Sequence, residues 1–252
     1  MEQLLIISGH DPSTGSGMAA DLRAAHCMGV LPFAIISALT AQGEDHFVTP
    51  FPAPPEILQA QLHIARGYQF HAVKIGMLGT ADTVVLISRW LASNPVSHVV
   101  LDPVLHSTSG GVLLSPPTLS SLIPLLPFVT LITPNFSETQ LLTGITPQTQ
   151  SDMSRAAEVF ARHGTKATLF KGGHREGMPT DYLWHHGKIT AIEGTRIGEE
   201  NVRGTGCWLS TLIAAMLARG TQMEQACREA KSILTQQMMR AHRVSQRNAQ
   251  IL

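Results

Sequence analysis

Four consecutive residues combine a backbone suited to anions with a reactive side chain: Gly204, Thr205, Gly206 and Cys207. The glycines let the main chain approach a ligand closely. They open an apolar helical pattern, and the free N–H groups at a helix start bind anions with help from the helix dipole. We expect a cysteine there to have a lowered pKa and to act as a thiolate or base. The alternative interpretation is an ordinary helix start with a cysteine packed inside.

A second segment suited to binding follows the first apolar run of the chain. Residues 8–17 are rich in Gly, Ser and Thr, and Asp21 lies four residues beyond Gly17. A strand, such a loop and then a helix form the usual phosphate or substrate loop of an α/β sheet. The segment matches neither G-x-x-x-x-G-K-[ST] nor G-x-G-x-x-G. A ligand-binding loop and a flexible turn both stay open, and Asp21 is correspondingly a ligand-binding or a solvated residue.

Polar residues also follow several later apolar runs. Gln42, Asp102 and Asn135 come after three of them, Glu138 lies three residues beyond Asn135, and Lys171 follows a fourth. Polar groups at the carboxyl ends of parallel strands converge on one crevice, where Lys171 can hold a phosphate as a point charge. Each residue alone has a simpler interpretation. Asn135 and Glu138 have capping-box spacing, and Lys171 suits a surface loop.

The elements that must position these groups alternate along the chain. Short apolar runs predict strands at residues 3–8, 31–39, 72–75, 99–101, 129–133 and 168–170, and a hairpin at 181–194. Helical patterns occupy residues 21–28, 54–67, 81–93, 117–125, 137–142 and 152–162. A helix with one apolar face ends at Gly220, a longer one spans 224–243, and the polar tail beyond is expected to fray. This rhythm predicts one α/β domain over residues 1–252, with a mostly parallel sheet covered on both faces.

Composition narrows the class of protein. The chain is 44% hydrophobic and only 14% charged, with zero net charge, so no basic field is available to hold a nucleic acid. Three widely spaced cysteines argue against a disulfide framework and for a reducing compartment. No apolar run is long enough for a membrane span, the N-terminus lacks a signal-peptide pattern, and no Cys/His set has zinc spacing. We therefore expect a cytoplasmic protein.

Taken in order, these segments resemble the hydroxymethylpyrimidine/phosphomethylpyrimidine kinase family of thiamin biosynthesis, within the ribokinase superfamily. Many sugar kinases of that superfamily carry Gly-Ala-Gly-Asp where this chain has Gly-Thr-Gly-Cys, which favours this branch. The resemblance covers nearly the whole chain, in the stretches SGHDPSTGSGMAADLRA, ISALTAQ, VKIGMLGT, VVLDPVLHSTSGGVLL, LITPNFSETQLLTG, KGGH and NVRGTGCWLSTLIAAMLA.

The resemblance implies a ribokinase-like three-layer α/β/α sandwich, assembled as a homodimer. It implies transfer of the ATP γ-phosphate to 4-amino-5-hydroxymethyl-2-methylpyrimidine, to its monophosphate, or to both, with Mg²⁺. A monovalent-ion requirement stays open. No nucleic-acid or membrane partner is implied.

The resemblance also implies a role for each matching residue. Cys207 corresponds to the catalytic residue, with the backbone of residues 204–207 as the anion hole. Lys171 and Asn135 correspond to ATP-phosphate contacts, and Glu138 and Asp102 to the metal region. The pyrimidine contacts correspond to Gly9, Asp21, Gln42, Met77 and Val104.

Departures from the family pattern bear on the substrate. Arg203 stands where the family usually has His, and is expected to contact the nucleotide phosphates. Trp208 replaces Thr and can pack on a ligand or on a neighbouring element, and Ala19 replaces Gln. The segment after Gln42 also differs, and residues 43–49 are a candidate lid. These differences are expected to narrow the substrate range, with the monophosphate as one outcome.

Three rival functions remain at this stage. A pyridoxal or pyridoxine kinase acts on similar heteroaromatic hydroxymethyl compounds, although Gln42 beside Asp21 favours an aminopyrimidine. A non-catalytic pyrimidine sensor on a kinase fold would bind without turnover. A dinucleotide-dependent oxidoreductase lacks its glycine fingerprint.

Overall fold

The computed structural model describes residues 1–43, 47–107, 111–115, 118–173, 177–197, 201–243 and 248–251. The strands are β1 (Gln3–His10), β2 (Leu31–Gln42), β3 (Phe47–Pro52), β4 (Ala72–Ile75), β5 (Gly79–Thr80), β6 (His98–Leu101), β7 (Leu114–Ser115), β8 (Leu131–Ile132), β9 (Ala167–Phe170), β10 (Asp181–His185), β11 (Lys188–Ile192), β12 (Asn201–Arg203), β13 (His242–Arg243) and β14 (Asn248–Gln250). The helices are α1 (Gly17–Cys27), α2 (Pro55–Ala65), α3 (Ala81–Ser93), α4 (Leu119–Leu122), α5 (Phe136–Thr143), α6 (Gln150–Arg162), α7 (Thr205–Ala218) and α8 (Met223–Met239).

A nine-stranded sheet forms the centre, in the order β11-β10-β9-β8-β6-β4-β1-β2-β3. The six strands from β9 to β2 in this order are parallel to their neighbours. Antiparallel partners close both edges, β3 at one and the β10–β11 hairpin at the other. Because the central strands are parallel, their carboxyl ends meet along one edge of the sheet, where ligands of such folds bind.

Alternation along β1 shows why helices cover both faces. Leu4 and Ile6 lie in a core cluster with α1, α7 and α8, whereas Leu5 and Ile7 lie in a second cluster with α2 and α3. Successive side chains of a strand point to opposite faces, so a strand apolar at every position needs cover on both sides. The predicted three-layer α/β/α sandwich with a mostly parallel sheet is confirmed, whereas the single domain over residues 1–252 stays a prediction.

The helix predicted at residues 117–125 is wrong in extent. The structure has one turn, α4, followed by a 3₁₀ turn at Leu126–Phe128, while residue 117 lies outside the described part. Pro124 and Pro127 explain the difference, because proline lacks an amide hydrogen and clashes with the preceding turn of a helix.

The sequence pattern predicted that α7 has one apolar face, and this prediction is wrong. Every residue from 208 to 217 is buried, because α7 packs on the central strands and is flanked by α1 and α8. Trp208 is one of these core residues and does not line the cavity described below, so its packing on a neighbouring element is the correct alternative.

The prediction that the polar tail frays is also wrong for residues 248–251. Ala249, Gln250 and Ile251 are buried, and β14 pairs in parallel with β12 and antiparallel with β13. The backbone pairing of β14 therefore fixes a segment whose side-chain composition indicated fraying; residues 244–247 lie outside the described part. Within the described residues, no helix is long and apolar enough to span a membrane.

The segment proposed as a lid is partly a strand. Phe47 begins β3, which pairs with β2, and Phe47 packs with Met77, Leu113 and Val104. Residues 44–46 of the proposed lid lie outside the described part. β3 is thus an edge strand of the central sheet. A lid motion of this segment stays a prediction.

Candidate active site

A cavity of about 650 Å³ lies at the carboxyl ends of the central strands. Thirteen of the fourteen predicted site residues line it, including the strand-end residues Gln42, Asp102 and Lys171. They are Gly9, Gln42, Met77, Asp102, Val104, Asn135, Glu138, Lys171, Arg203, Gly204, Thr205, Gly206 and Cys207, and the exception is Asp21.

The first turn of α7 presents its backbone to this cavity. Gly204 is the residue before the helix and adopts the left-handed conformation with φ of +75°, and no described side chain caps the helix. A Cβ on Gly204 would collide with the carbonyl oxygen of Gly15, so both the backbone angle and the space require glycine. The amide hydrogens of an uncapped first turn lack partners within the helix. The turn is therefore a site for an anion.

Cys207 differs from its sequence-based interpretation. It is partly accessible at the cavity wall, yet burial raises the pKa of its thiol to about 12. Asp21 and Asp102 add to the rise, while Lys74 opposes it. The predicted lowering of the pKa is therefore wrong, because desolvation of the thiolate outweighs the lowering by Lys74 and by the Gly17 amide. The resting side chain is a neutral thiol.

Lys171 and two carboxylates form a charge cluster opposite the α7 turn. Lys171 Nζ lies 2.5 Å from Asp102 Oδ1 and 3.9 Å from Glu138 Oε2. A Cβ placed on Gly206 would lie 3.4 Å from Lys171 Nζ and 3.5 Å from Asp102 Oδ2, so this cluster directly faces the turn. Although burial lowers the pKa of Lys171, Asp102 and Glu138 raise it and the net direction is upward. The lysine is a permanent cation in the cavity wall.

Asn135 and Glu138 form the capping box that their spacing indicated, and both also line the cavity. Asn135 Oδ1 accepts a hydrogen bond from the Glu138 amide at 2.8 Å, and Glu138 Oε2 accepts one from the Asn135 amide at 2.7 Å. This capping box starts α5, and the same two residues line the cavity. Burial raises the pKa of Glu138 to about 7, with Lys171 opposing and Asp102 adding to the rise.

The carboxylates of Asp102 and Glu138 suit a hard divalent cation. Mg²⁺ is usually held by one or two carboxylates together with substrate phosphates and water. Both carboxylates are at the cavity wall, and no group of three or more His, Cys, Asp and Glu side chains among the described residues forms an all-protein cage. The donor set therefore fits a magnesium ion shared with a phosphate ligand.

The opposite part of the cavity is narrow and apolar. A Cβ on Gly9 would lie 2.5 Å from Met77 Sδ, so glycine leaves room for that side chain. Met77 packs with Leu113, and Val104 covers the same cluster. Gln42, at the end of β2, adds an amide with both donor and acceptor atoms. These walls suit a flat heteroaromatic ring.

Asp21 does not reach the cavity and needs a correction. Its side chain is fully buried, both carboxylate oxygens lie 2.7 Å from Lys74 Nζ, and Thr211 Oγ1 donates to it at 2.9 Å. Burial lowers the pKa of Lys74, but the Asp21 carboxylate raises it, with a net upward shift. Asp21 therefore balances a buried lysine behind the wall. The prediction failed because the neighbouring lysine is 53 residues away in the chain.

Arg203 lies at the cavity wall but is already engaged. Its guanidinium contacts Asp11 Oδ2 at 3.2 Å and donates to the Gly43 carbonyl at 3.0 Å. The predicted contact of Arg203 with nucleotide phosphates stays a prediction.

Sequence reasoning missed a polar group at the far end of the cavity. Asp181 accepts hydrogen bonds from the Gly172 amide and from Lys231 Nζ, both at 2.8 Å, and Thr235 lies one turn after Lys231 on α8. All except Gly172 line the cavity. No local motif marks these residues. The one feature of the sequence that could have predicted them is a charged residue, Asp181, at the start of a hairpin strand.

The geometry can now be compared with known proteins. The model of the phosphomethylpyrimidine kinase family matches residues 11–251. The chain belongs to this family. A hydroxymethylpyrimidine/phosphomethylpyrimidine kinase of Haemophilus influenzae is 33% identical over 242 residues, covering 93% of this chain and 90% of that protein. The family resemblance seen in the sequence is thereby confirmed.

Two further relatives extend the comparison. The thiamine biosynthesis multifunctional protein ThiED of Corynebacterium efficiens is 36% identical over 229 residues, which cover 89% of this chain and 31% of that longer protein. The pyridoxal kinase of Bacillus subtilis, solved as an ADP complex, has a TM-score of 0.89 and 27% identity, covering 100% of this chain and 97% of that one. The phosphomethylpyrimidine kinase family thus shares the ribokinase-like fold with pyridoxal kinases.

Proposed function

We propose that this protein transfers the γ-phosphate of ATP to 4-amino-5-hydroxymethyl-2-methylpyrimidine, to its monophosphate, or to both. One observation carries the proposal: the uncapped first turn of α7 faces the cluster of Lys171 and Asp102 across one cavity. Amide hydrogens, a cation and carboxylates for a metal ion are the groups that phosphoryl transfer needs. Membership of the phosphomethylpyrimidine kinase family supports the same reaction.

The two ends of the cavity suit the two reactants. The part of the cavity lined by Gly9, Met77 and Val104 suits the pyrimidine ring, and Gln42 can pair with its ring nitrogen and amine. The far end, at Asp181 and α8, suits the nucleoside of ATP. The phosphates then lie between them, against Lys171 and the α7 turn.

Each group has a defined part in the transfer. The α7 amides hold the transferred phosphoryl group in line with the acceptor oxygen, and Lys171 neutralises charge that develops on it. When bound at Asp102 and Glu138, Mg²⁺ supplies further charge neutralisation on the phosphates. Cys207 is placed to accept the hydroxymethyl proton in its thiolate form, so the thiol must first pass its own proton to solvent or to a phosphate oxygen of ATP. Its raised pKa keeps the thiolate fraction small at neutral pH. Asn135 holds Glu138 in place through the capping box.

Parallel turnover assays test the proposal. ADP formation with Mg²⁺ should be measured against hydroxymethylpyrimidine, its monophosphate and pyridoxal, each at saturating ATP. Turnover of the first, the second or both is expected. Turnover of pyridoxal alone would move the protein to the vitamin B6 activity named for its Bacillus relative. Binding of the pyrimidine without turnover of any acceptor would support the sensor instead.

Replacing Cys207 with alanine tests the proposed base. We expect kcat to fall about 100-fold, at the lower end of the range for general bases, because the thiol starts protonated. The pyrimidine Kd should change little, since the ring contacts lie elsewhere in the cavity. Steady-state kinetics and calorimetric titration measure the two quantities. Cys27, which is exposed, provides the matched control as Cys27→Ala. A Cys207→Ala enzyme with normal kcat would exclude the base.

A homodimer is part of the proposal. Leu39 and Phe51 are directly opposite each other on β2 and β3, about half exposed at 51% and 55%, and Val48 is 74% exposed. Directly opposed residues of paired strands point to the same face, so Leu39 and Phe51 form an apolar patch at the sheet edge. A second copy of the chain is the partner we propose for this patch. The cytoplasmic location stays a prediction.

A further inference from the structure

Asp11 is the first residue of the loop between β1 and α1, and its side chain accepts hydrogen bonds from the rest of that loop. Its carboxylate is 1% exposed and accepts hydrogen bonds from the amide and hydroxyl of Ser13 at 2.9 and 2.8 Å. The amide and hydroxyl of Ser16 donate to its other oxygen at 3.1 and 2.7 Å. One buried charge therefore determines the shape of the segment that carries Ser16 and Gly17 to the cavity wall.

Arg203 joins this loop to two other parts of the wall. Its guanidinium contacts Asp11 at 3.2 Å and the Gly43 carbonyl, at the end of β2, at 3.0 Å. Arg203 is 6% exposed and is followed directly by Gly204, the first residue of the anion-binding turn. The substrate loop, the end of β2 and the start of α7 thus meet at one ion pair.

The loop has little room to move against the turn. A Cβ on Gly204 would collide with the Gly15 carbonyl, and a Cβ on Gly15 would lie 2.9 Å from Gln250 Nε2. Gln250 in turn donates to the Ser13 carbonyl at 3.2 Å. A shift of the loop by a few tenths of an ångström would therefore displace the α7 turn.

We propose that Asp11 and Arg203 form a positioning pair for the acceptor half of the reaction. The pair holds the loop of residues 11–16 against the phosphate-binding turn, so that acceptor oxygen and transferred phosphoryl group are aligned. This inference rests on the proposed kinase function. Arg203 acts through Asp11 and Gly43 rather than by contact with a reactant.

The geometry needs arginine in particular. A guanidinium has five donors in a fixed plane and can reach two acceptors at once, whereas a lysine ammonium is a point charge on a flexible stem. Lysine at position 203 keeps the charge next to Asp11 but cannot hold Asp11 and Gly43 in the same arrangement. Charge and geometry can therefore be separated by experiment.

The test compares Arg203→Lys, Arg203→Met and Asp11→Asn with the wild-type protein. Alignment errors of about 1 Å reduce rates by up to about 100-fold, so we expect kcat/KM for the acceptor to fall at least about tenfold in each variant. The KM for ATP should stay within about threefold, because only its γ-phosphate meets the α7 turn and its other proposed contacts are at Lys171 and beyond. Arg228→Lys is the control, since Arg228 pairs with Glu224 on the exposed surface of α8.

Hydrogen exchange of residues 12–17 gives a readout that does not depend on turnover. The amides of Ser13 and Ser16 donate to Asp11, so their exchange should be at least about tenfold faster in Arg203→Lys than in Arg228→Lys. A purely structural role would lower the melting temperature of Arg203→Met but leave acceptor KM and kcat of the folded protein unchanged, which would overturn the proposal.

The two proposals can fail separately. If the wild-type protein turns over none of the acceptors, the kinase proposal fails and the exchange measurement alone decides the positioning role. Unchanged exchange in Arg203→Lys would then reject the pair, and faster exchange would support it as the group that orders the loop.

Discussion

Replacing Lys171 with methionine should lower kcat about 1,000-fold, the scale seen when a charge-stabilising group is removed from a transition state. Methionine fills a similar volume but leaves Asp102 and Glu138 without their cation. The phosphates would then meet two carboxylates in a buried site. Because the pKa of Lys171 is raised, the side chain stays charged at neutral pH and well above it. Titration of Lys171 should therefore not change kcat between about pH 6 and 9.

Lys166 provides the matched control for this experiment. It precedes β9, whereas Lys171 follows it, and Lys166 is exposed. Single-turnover measurements at saturating ATP and Mg²⁺ give the chemical step in Lys171→Met and Lys166→Met. A Lys171→Met enzyme within about threefold of the wild-type rate would contradict the assigned charge neutralisation.

Replacing Asp21 with alanine should lower the free energy of unfolding by about 3–5 kcal/mol, the usual effect of leaving one partner of a buried ion pair alone. Lys74 is fully buried, and Asp21 is its ion-pair partner. The folded-state pKa of Lys74 is raised, so its stabilising contribution is complete below about pH 10, its unfolded value, and is lost at higher pH. At neutral pH the full effect should be visible in urea unfolding.

The double variant Asp21→Leu with Lys74→Met distinguishes a role of Asp21 in the ion pair from a role in substrate binding. Apolar replacement of both partners is often neutral, so the double variant should regain most of the stability lost in Asp21→Ala. The acceptor Kd of the folded single variant should stay near the wild-type value. A stable Asp21→Ala protein with much weaker acceptor binding would instead restore the contact predicted from the sequence.

The sequence predicted the sheet well because its evidence is local. Runs such as residues 4–7 and 99–101 are apolar at every position, and such runs are typical of parallel strands covered on both faces. Because the carboxyl ends of those strands share one edge, the positions of Asp102, Asn135 and Lys171 followed from their places in the chain. Two of the strands that escaped prediction, β12 and β14, are held by backbone pairing between distant segments.

The errors in the site came from long-range contacts. The environment of Cys207 is set by α1, β4 and the end of β6, so a rule about helix starts gave the wrong direction for its pKa. Asp21 was assigned to the substrate from the family resemblance and from its place after the first strand, whereas its partner, Lys74, lies in an otherwise apolar strand far along the chain. Arg203 finds Asp11 192 residues away. Spacing within a motif carries no information about such partners.

The docking of β14 has a consequence for synthesis of the chain. Gln250 supports the loop at Ser13 and Gly15, so this part of the cavity wall is completed by a residue 237 positions after Ser13 in the chain. A ribosome-bound chain can form the early strands and helices, since domains begin to fold during synthesis. The loop of residues 11–16, however, can adopt its final position only after β14 has left the ribosome. A nascent chain that lacks residues 248–251 is therefore expected to be compact yet without a finished site, which delays ligand capture until β14 has been synthesised.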